Sequence, residues 1–446
     1  MSELPRGWEE TTIGNIAPIE TGSTPPKKNA EYYAREICFY KPGDLDAGGT
    51  VSQSEDMVSQ AGAAAGRLLP ENSLLVTCIG NLGKSALTAA PSICNQQINA
   101  VLPTPAALPK YLYYWSRTIR PWLEANSSAT TVSIINKGRF SQAPIKIAPF
   151  AEQRRIVAKI DSLSAKSRRA RDHLDHIPRL VEKYKQTILA AAFRGELTHK
   201  WRQVHGTEHP WRTIPAGGVI QDVVAGKNLR CEERPPVPHE RGVVKVSAVT
   251  WGSFDPQATK TLPADFCPPD HTRIQSGDFL ISRANTLELV GAVVIVQDTP
   301  TNLFLSDKIL RLEMEESAKP WMLWFLRSPS GRAAIEEVAT GNQLSMRNLS
   351  QVALREIDIP WPNERERVEI VRRIETAFAW IDRLSDEATS ARKLIGHLDQ
   401  AVLTKAFRGE LVPQDPSDEP ASVLLEKIKT ERSAAIARPR KAAQQI

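Results

Sequence analysis

The chain has 446 residues, 57 Lys and Arg against 51 Asp and Glu, a formal net charge of +6 and 41% hydrophobic content. That length and composition suit a water-soluble protein of two or more domains, each with its own core, and the mild basicity permits a polyanionic partner without requiring one. Five cysteines without a C-x-x-C pair argue against a zinc site or a disulfide framework. No apolar run reaches the roughly 18 residues of a membrane span, and no charged-then-apolar leader opens the chain, so a cytoplasmic protein is expected.

Residues 1–148 read as a first globular domain. Thr21-Gly22-Ser23-Thr24-Pro25-Pro26-Lys27-Lys28 is loop chemistry, with Gly, Ser and Pro as punctuation and two lysines where backbone is exposed. Ser73 to Ile79 is a short apolar run that predicts a buried strand ending in the turn Gly80-Asn81-Leu82-Gly83. Leu112, Trp115, Ile119 and Leu123 share helical spacing after Pro109. Basic residues then gather at Lys110, Arg117, Arg120, Lys137, Arg139 and Lys146.

Residues 149–200 predict a first long helix. Apolar positions alternate at spacings of four and three, which is the signature of a helix that pairs with another. The seam includes Ile156, Ile160, Leu163, Leu174, Ile177 and Val181. Pro178 lies inside this pattern. A proline there costs about 3 kcal/mol, so two helical pieces or a kink are expected between Asp175 and Pro178.

Residues 201–359 repeat the first domain. Trp211 answers Trp8, Gly277-Asp278-Phe279-Leu280 answers Asn72-Ser73-Leu74-Leu75, Trp321 answers Tyr111, and Ala339-Thr340 answers Ala129-Thr130. The offset grows along the domain, so insertions fall in loops while the scaffold persists, and loops are where specificity varies. Residues 360–412 predict a second long helix with seam residues Ile370, Ile374, Ile381, Leu384, Ile395 and Leu398. Residues 413–446 form a tail with a short amphipathic helix and a basic end at Arg438, Pro439, Arg440 and Lys441.

Both long helices close on the same words. Ala192-Phe193-Arg194-Gly195-Glu196-Leu197 recurs as Ala406-Phe407-Arg408-Gly409-Glu410-Leu411, an offset of 214 residues that holds without a gap from Ile156/Ile370. A repeat at this scale dictates architecture. The expected fold is α+β: two similar α/β domains separated by two long helices that pair as an antiparallel coiled coil, giving a pseudo-two-fold internal repeat. A continuous helix from Ile156 to Ala191 would extend about 50 Å at 1.5 Å per residue. Such a spacer suits two DNA half-sites about one turn, roughly 34–36 Å, apart.

The candidate nucleic-acid contacts are cations and amides in the loops. In the first domain they are Lys27, Lys28, Asn81, Lys84, Asn136, Lys137 and Arg139. In the second they are Lys227, Asn228, Arg230, Arg283, Asn285, Asn342, Gln343, Arg347 and Asn348. Lys and Arg neutralise phosphates, and Arg, Asn and Gln make two-pronged contacts with base edges; the plain alternative for each is a solvated surface. For Asn95-Gln96-Gln97 a scaffold role is favoured over adenine reading, and Trp115, Trp122, Trp321 and Trp324 read as core. Gly80 to Ser85 is not a phosphate-binding loop, because the position that motif needs as glycine is Cys78. His199, His205 and His209 lack metal-ligand spacing.

The order of Trp8 with Ile13-Gly14, Gly22-Ser23-Thr24-Pro25, Gly80-Asn81-Leu82-Gly83, Asn95-Gln96-Gln97-Ile98, Pro149 through Glu152-Gln153-Arg154-Arg155-Ile156, and both A-F-R-G-E-L copies resembles the specificity subunit of type I restriction–modification enzymes. The resemblance covers residues 1 to about 430, and the helical copies are its most specific part. It implies a non-catalytic subunit that binds double-stranded DNA through two target-recognition domains, each reading half of a split sequence. It also implies a helical ruler that carries two modification (methyltransferase) subunits, joined by restriction (translocase and nuclease) subunits. No cofactor is expected in this chain; S-adenosylmethionine, ATP and Mg are expected in the partner subunits. The rival readings are a self-contained DNA methyltransferase or nuclease, for which no glycine-rich cofactor loop or N/D-P-P-Y/F segment is found, and a purely structural coiled-coil protein, which leaves the duplicated domains unexplained.

Overall fold

The computed structural model describes residues 4–128, 132–206, 210–300, 302–343 and 346–437; Ala129, Thr130, His209 and the basic end from Arg438 to Lys441 lie outside them. The long helices are α1 (Phe150–Asp175), α2 (Ile177–Phe193), α3 (Glu364–Ala406) and α4 (Ala421–Ala437). The expected interruption falls at His176. Pro178 occupies the first turn of α2, where its missing N–H goes unnoticed. Arg392 holds the equivalent place in α3, which runs unbroken over 43 residues. No described helix is long and apolar enough to cross a membrane.

Packing divides the chain into two compact units, Met1–Leu174 with Ser390–Ile446, and Asp175–Thr389. The division runs through the long helices, so each unit holds one globular domain and a piece of each helical copy.

In the first unit the strands are β1 (Glu9–Thr12), β2 (Ile19–Thr21), β3 (Ile37–Tyr40), β4 (Thr50–Val51), β5 (Asp56–Val58), β6 (Leu74–Thr77), β7 (Ser85–Thr88), β8 (Ile93–Cys94), β9 (Ile98–Val101) and β10 (Pro144–Ile147). The main sheet has the order β2-β9-β6-β7-β4, a second sheet the order β5-β3-β8, and β1 pairs with β10. The predicted strand around Leu74 is β6, buried along its whole length. In the second unit the strands are β11 (Arg212–Pro215), β12 (Asp222–Ala225), β13 (Gly242–Val244), β14 (Thr259–Thr261), β15 (Phe279–Ser282), β16 (Ala284–Asn285), β17 (Val293–Ile295), β18 (Leu303–Phe304), β19 (Ile309–Glu313), β20 (Thr340–Gln343), β21 (Met346–Asn348) and β22 (Asp358–Trp361). The order β12-β19-β15-β17 repeats β2-β9-β6-β7, β14-β13-β18 repeats β5-β3-β8, and β11 with β22 repeats β1 with β10. Even the sense of pairing is kept: β3 runs antiparallel to β5 and parallel to β8, as β13 does to β14 and β18.

Within each unit the helix pieces lie against each other in opposite directions. In the first, Ile156 and Ile160 share a core with Leu403 and Ala406, and farther along α1 Arg171 pairs with Asp399. In the second, Lys185 of α2 pairs with Asp382, and beyond the end of α2 the Leu197 carbonyl accepts from Arg373. The repeated A-F-R-G-E-L words end the helices. Gly195 and Gly409 both take φ of 74°, a left-handed turn that favours glycine, and the N–H groups of Glu196 and Glu410 bond back to Ala191 and Lys405. Phe193 packs on Trp321 at 4.8 Å between ring centres and Phe407 on Tyr111 at 5.1 Å. Tyr111 and Trp321 in turn donate to the carbonyls of Lys146 and Pro360. The Trp115 and Trp321 side chains are buried, as their helical spacing predicted.

The predicted seam needs one correction. Ile156, Ile160, Ile370, Ile374 and Ile381 are buried, and Leu163, Leu174, Ile177, Val181 and Ile395 are half-buried, but Leu384 and Leu398 are exposed. After Ile381 the covered stripe of α3 passes through Ser385, Ala388, Ile395, Asp399 and Leu403. The series Ile374, Ile381, Ala388 and Ile395 stays covered while Leu384 and Leu398 of the alternate series face outward, so the contact narrows to one edge of the predicted stripe.

At matching places in the first turns of the two helices, 214 residues apart, Glu152 and Glu366 are each 1% exposed. Glu366 accepts from Arg202 at 2.8 Å and Thr198 at 2.7 Å. Glu152 accepts from the Trp8 indole at 3.0 Å and leaves its Oε1 unpartnered among the described residues. Burial holds the Glu152 carboxyl above its ordinary range, the Trp8 bond opposing that only in part.

Two outcomes are expected. Ile374→Ala should cost about 2–4 kcal/mol in denaturant unfolding of the full chain, and Leu398→Ala within about 0.5 kcal/mol. Equal losses would restore the strict heptad seam. For Glu152, a folded pKa above the unfolded one means stability is lost as pH rises through the folded value and regained below the unfolded one. Glu152→Gln keeps the acceptor for Trp8 and removes the charge, so its Tm should exceed the parent's at pH 8 and match it at pH 4. A Tm difference independent of pH would show that ionisation of Glu152 does not matter.

Candidate nucleic-acid interface

Each globular domain launches its first polar loop from a glycine that nothing else could replace. A Cβ on Gly22 would lie 2.2 Å from the Asn95 carbonyl oxygen, and one on Gly226 would lie 1.8 Å from that of Leu305. The glycine N–H groups bond to Ile98 and Ser306 carbonyls, which pins the loop to the sheet. The residues that follow, Lys27 and Lys28 in one domain and Lys227, Asn228 and Arg230 in the other, are exposed, and the cations form no ion pair among the described residues. Asn95 and Gln97 bond to each other, Asn95 Nδ2 donating at 2.9 Å, and Gln96 accepts from Thr24 at 2.7 Å. These amides hold the loop in place, the scaffold role preferred on sequence.

The first domain gathers a second set nearby. Gly80 N–H donates to the Ser133 carbonyl and Ile135 N–H to that of Cys78, so the Asn81 turn and the segment carrying Asn136, Lys137 and Arg139 lie side by side. Their side chains are not equally free. Asn136 caps the short helix Lys137–Phe140 by accepting from Arg139 N at 2.8 Å. Lys137 lies 3.4 Å from Glu20, and Arg139 donates to Asn126 at 3.1 Å. Lys84 turns to Asp46 in an ion pair. Lys27, Lys28 and Asn81 point into solvent.

In the second domain the structure joins residues that the sequence keeps more than 50 positions apart. Strands β16, β21 and β20 form one small sheet in which Ala284 faces Asn348 and Asn285 faces Arg347. Arg283 precedes the first strand, and Asn342 and Gln343 fall on β20, their side chains outside the described ones. Arg283 and Asn348 are exposed; Arg347 is half-buried with its Nε unpartnered among the described residues. Lys227 and Asn228 lie apart from this sheet, in a groove of about 360 Å³ that also takes Lys245, Lys260 and Lys308. Sequence reading passed over these three lysines. Lys245 and Lys260 share Glu233, at 3.5 and 2.5 Å, and the bond from Lys260 holds that carboxyl below the usual range. The signal available was Lys41, which follows β3 and opens a 3-10 turn as Lys245 does after β13. Arg283 N–H donates to the Lys308 carbonyl, which brings groove and sheet together.

Cations on loops, amides on a strand pair and a guanidinium without a carboxylate partner among the described residues are the groups that meet phosphates and base edges. Covalent chemistry has less to work with in the first domain: the Cys78 and Cys94 thiols are buried and pushed up to about 12, far from the reactive thiolate range.

Fold and site together define a recognition protein built twice on one frame. The model of the type I restriction modification DNA specificity domain matches residues 5–175. The EcoKI specificity subunit of Escherichia coli strain K12 is 26% identical over 97% of this chain and 97% of its own. The StySPI specificity subunit of Salmonella potsdam is 24% identical over 97% and 96%. A chain from a structure of type I R-M complex assembly and conformational transition superposes with a TM-score of 0.67 at 20% identity, covering 92% of this chain and 100% of that one. The HsdS subunit from Thermoanaerobacter tengcongensis gives 0.59 at 20% identity, covering 92% and 98%. The chain is therefore similar over nearly its whole length to specificity subunits of type I restriction enzymes, and its residues 5–175 carry the match to the family's DNA specificity domain.

Replacing Lys27 and Lys28 together by Gln should weaken DNA binding and flatten the slope of log affinity against log salt by about 0.9 for each phosphate no longer neutralised. Lys84→Gln, already paired within the fold, should leave the slope unchanged. Asn136→Ala should act on stability instead, costing about 1 kcal/mol through removal of a helix cap. Equal slopes for the double variant and the parent would remove the two lysines from the interface.

Proposed function

We propose that this chain is the DNA-recognition and scaffold subunit of a type I restriction–modification complex. Residues 1–148 and 201–359 each read one half of a bipartite target, and the long helices set the distance between the halves. The observation that carries the reading is the frame built twice with unlike loops. Strand order, pairing sense and helix ends recur, while the polar residues placed at the loops differ between the two domains. A frame preserved under different loops is how one architecture reads two different sequences.

A second observation supports a scaffold role. Within the repeated A-F-R-G-E-L words, Ala, Phe and Gly have packing or backbone reasons to recur. Arg194, Glu196, Arg408 and Glu410 are exposed; Arg194 bonds to Glu196 within its own word, and among the described residues no core contact calls for the same pair in both copies. One partner type that meets the chain in two places supplies that reason. In this reading the partners are two modification subunits, which bind S-adenosylmethionine and methylate adenine, and restriction subunits, which use ATP and Mg. The chain itself supplies recognition and positioning. Against the rival reading, a self-contained methyltransferase or nuclease, the EcoKI and StySPI chains that are similar over nearly the whole length are specificity subunits.

The test is the methylome of cells that carry this chain with its modification subunit, compared with cells lacking it. A new motif of two short half-sites around a fixed gap is expected. Exchanging residues 1–148 for the equivalent domain of a relative should change one half-site and leave the other and the gap intact. A change in both halves would sink the assignment of one half-site to each domain.

A further inference from the structure

Because the two globular domains share one frame, a single rung of it can be compared between them. In the second domain β16 faces β21, with Asn285 opposite Arg347. In the first domain the matching rung is made by Gly80 and Ser133. Ile79 bridges Ile134 there as Ala284 pairs with Asn348, and the Gly80 N–H donates to the Ser133 carbonyl. The next pair fixes the register: the Leu349 N–H bonds to the Arg283 carbonyl as that of Ile135 bonds to Cys78. A Cβ on Gly80 would meet nothing within 4 Å. The same place thus holds a hydroxyl beside open space in one domain, and a guanidinium facing an amide in the other.

That guanidinium is recessed and unmet. Arg347 is half-buried, and its Nε is shut off from water without a hydrogen-bond partner among the described residues. The amide opposite does not supply the acceptor. Asn285 Oδ1 accepts from the Thr286 N–H at 2.9 Å, and its Nδ2 donates to Ser282 Oγ at 3.4 Å. A buried donor without an acceptor is a cost to the fold, and a charged one more so. A ligand that brings acceptors to this rung removes it.

We infer that Arg347 reads a guanine in the half-site of the second domain. The inference rests on the proposed reading that residues 201–359 recognise one half-site. A guanidinium is a planar fork of N–H donors and matches two acceptors lying side by side. In the major groove guanine presents that pair, N7 and O6. Adenine and cytosine present an amino donor instead, and thymine a methyl beside its one acceptor. A phosphate also offers acceptors, but the cations placed to meet one stand clear in solvent, as Arg283 does at the start of the same sheet. Arg347 sits back, with Asn285 across from it and Asn348 next along the strand, and amides are the groups that read base edges. With Gly80 and Ser133 on the same rung, the first domain has no such fork, so this reader serves one half-site alone.

The test uses the chain assembled with its modification subunit and duplexes carrying the methylated motif. Each guanine of the second domain's half-site is replaced in turn by 7-deazaguanine, which lacks the N7 acceptor. One replacement should weaken binding by the parent roughly fivefold or more. Arg347→Ala should bind the unmodified duplex roughly tenfold or more weakly, ignore that one replacement and still sense the others. Arg347→Lys keeps the charge without the fork and should lose the same discrimination. Unchanged circular dichroism will confirm that both variants fold. If Arg347→Ala keeps every penalty the parent shows, as it would with Arg347 on a phosphate, the inference falls. It falls equally if that half-site holds no guanine on either strand. Exchange of residues 201–359 for the equivalent domain of a relative separates the two levels: a change in both half-sites, or in neither, would overturn the reading on which the inference rests.

Discussion

The structure depends on the burial of apolar stripes along helices that have no other way to leave water. A helix whose covered face is Ile156, Ile160 and their successors is not stable alone, and each copy finds its complement in the other. Because the pieces run in opposite directions, the beginning of one helical copy meets the end of the other within a single unit. Each globular domain is then fixed at that meeting place by the same aromatic contact, Phe407 on Tyr111 or Phe193 on Trp321. The units therefore cut across the order of the chain: the tail after α3 belongs with the first domain, where Asp418 bonds to Arg155 at 2.6 Å and Ala421 N–H to the Gly7 carbonyl.

Duplication has kept the frame and altered how its costly points are satisfied. The buried carboxylates Glu152 and Glu366 occupy the same place, yet one is met by the indole of Trp8 and the other by the guanidinium of Arg202. In the second unit Arg202 also lies over the ring of Trp211, whose indole nitrogen is left without an acceptor among the described residues. A buried acid with a cation and a hydroxyl beside it is compensated, whereas one with a single indole donor is left with an unmet charge. The glycine approach at Gly22 and Gly226 did not diverge, because no side chain fits against a carbonyl oxygen at that distance. What varies is what each glycine launches, and this lets one scaffold present two unlike polar surfaces.

Much of this was legible in the chain itself. The repeat at 214 residues, the two long helices, the break near Pro178, the buried strand at Leu74 and the core roles of Trp115 and Trp321 all follow from local pattern and composition. These are properties of spacing along one element, and spacing survives in sequence. The candidate polar residues could be named but not ranked. Asn136 and Lys84 look like Asn81 and Lys27 in sequence. The structure commits the first two to a helix cap and an ion pair and leaves the others in solvent.

By itself the sequence determined the duplication, the elements and the residue types available for recognition, because periodicity, proline and glycine act through local geometry. Tertiary structure alone decided which part of each helix joins which domain, that Leu384 and Leu398 turn away from the seam, and that Arg283, Asn285, Arg347 and Asn348 meet around one small sheet. Those facts depend on which edge of a helix meets its neighbour and on strand pairing between distant segments. Both are settled by packing over the whole unit, and neither is written in any short stretch of chain.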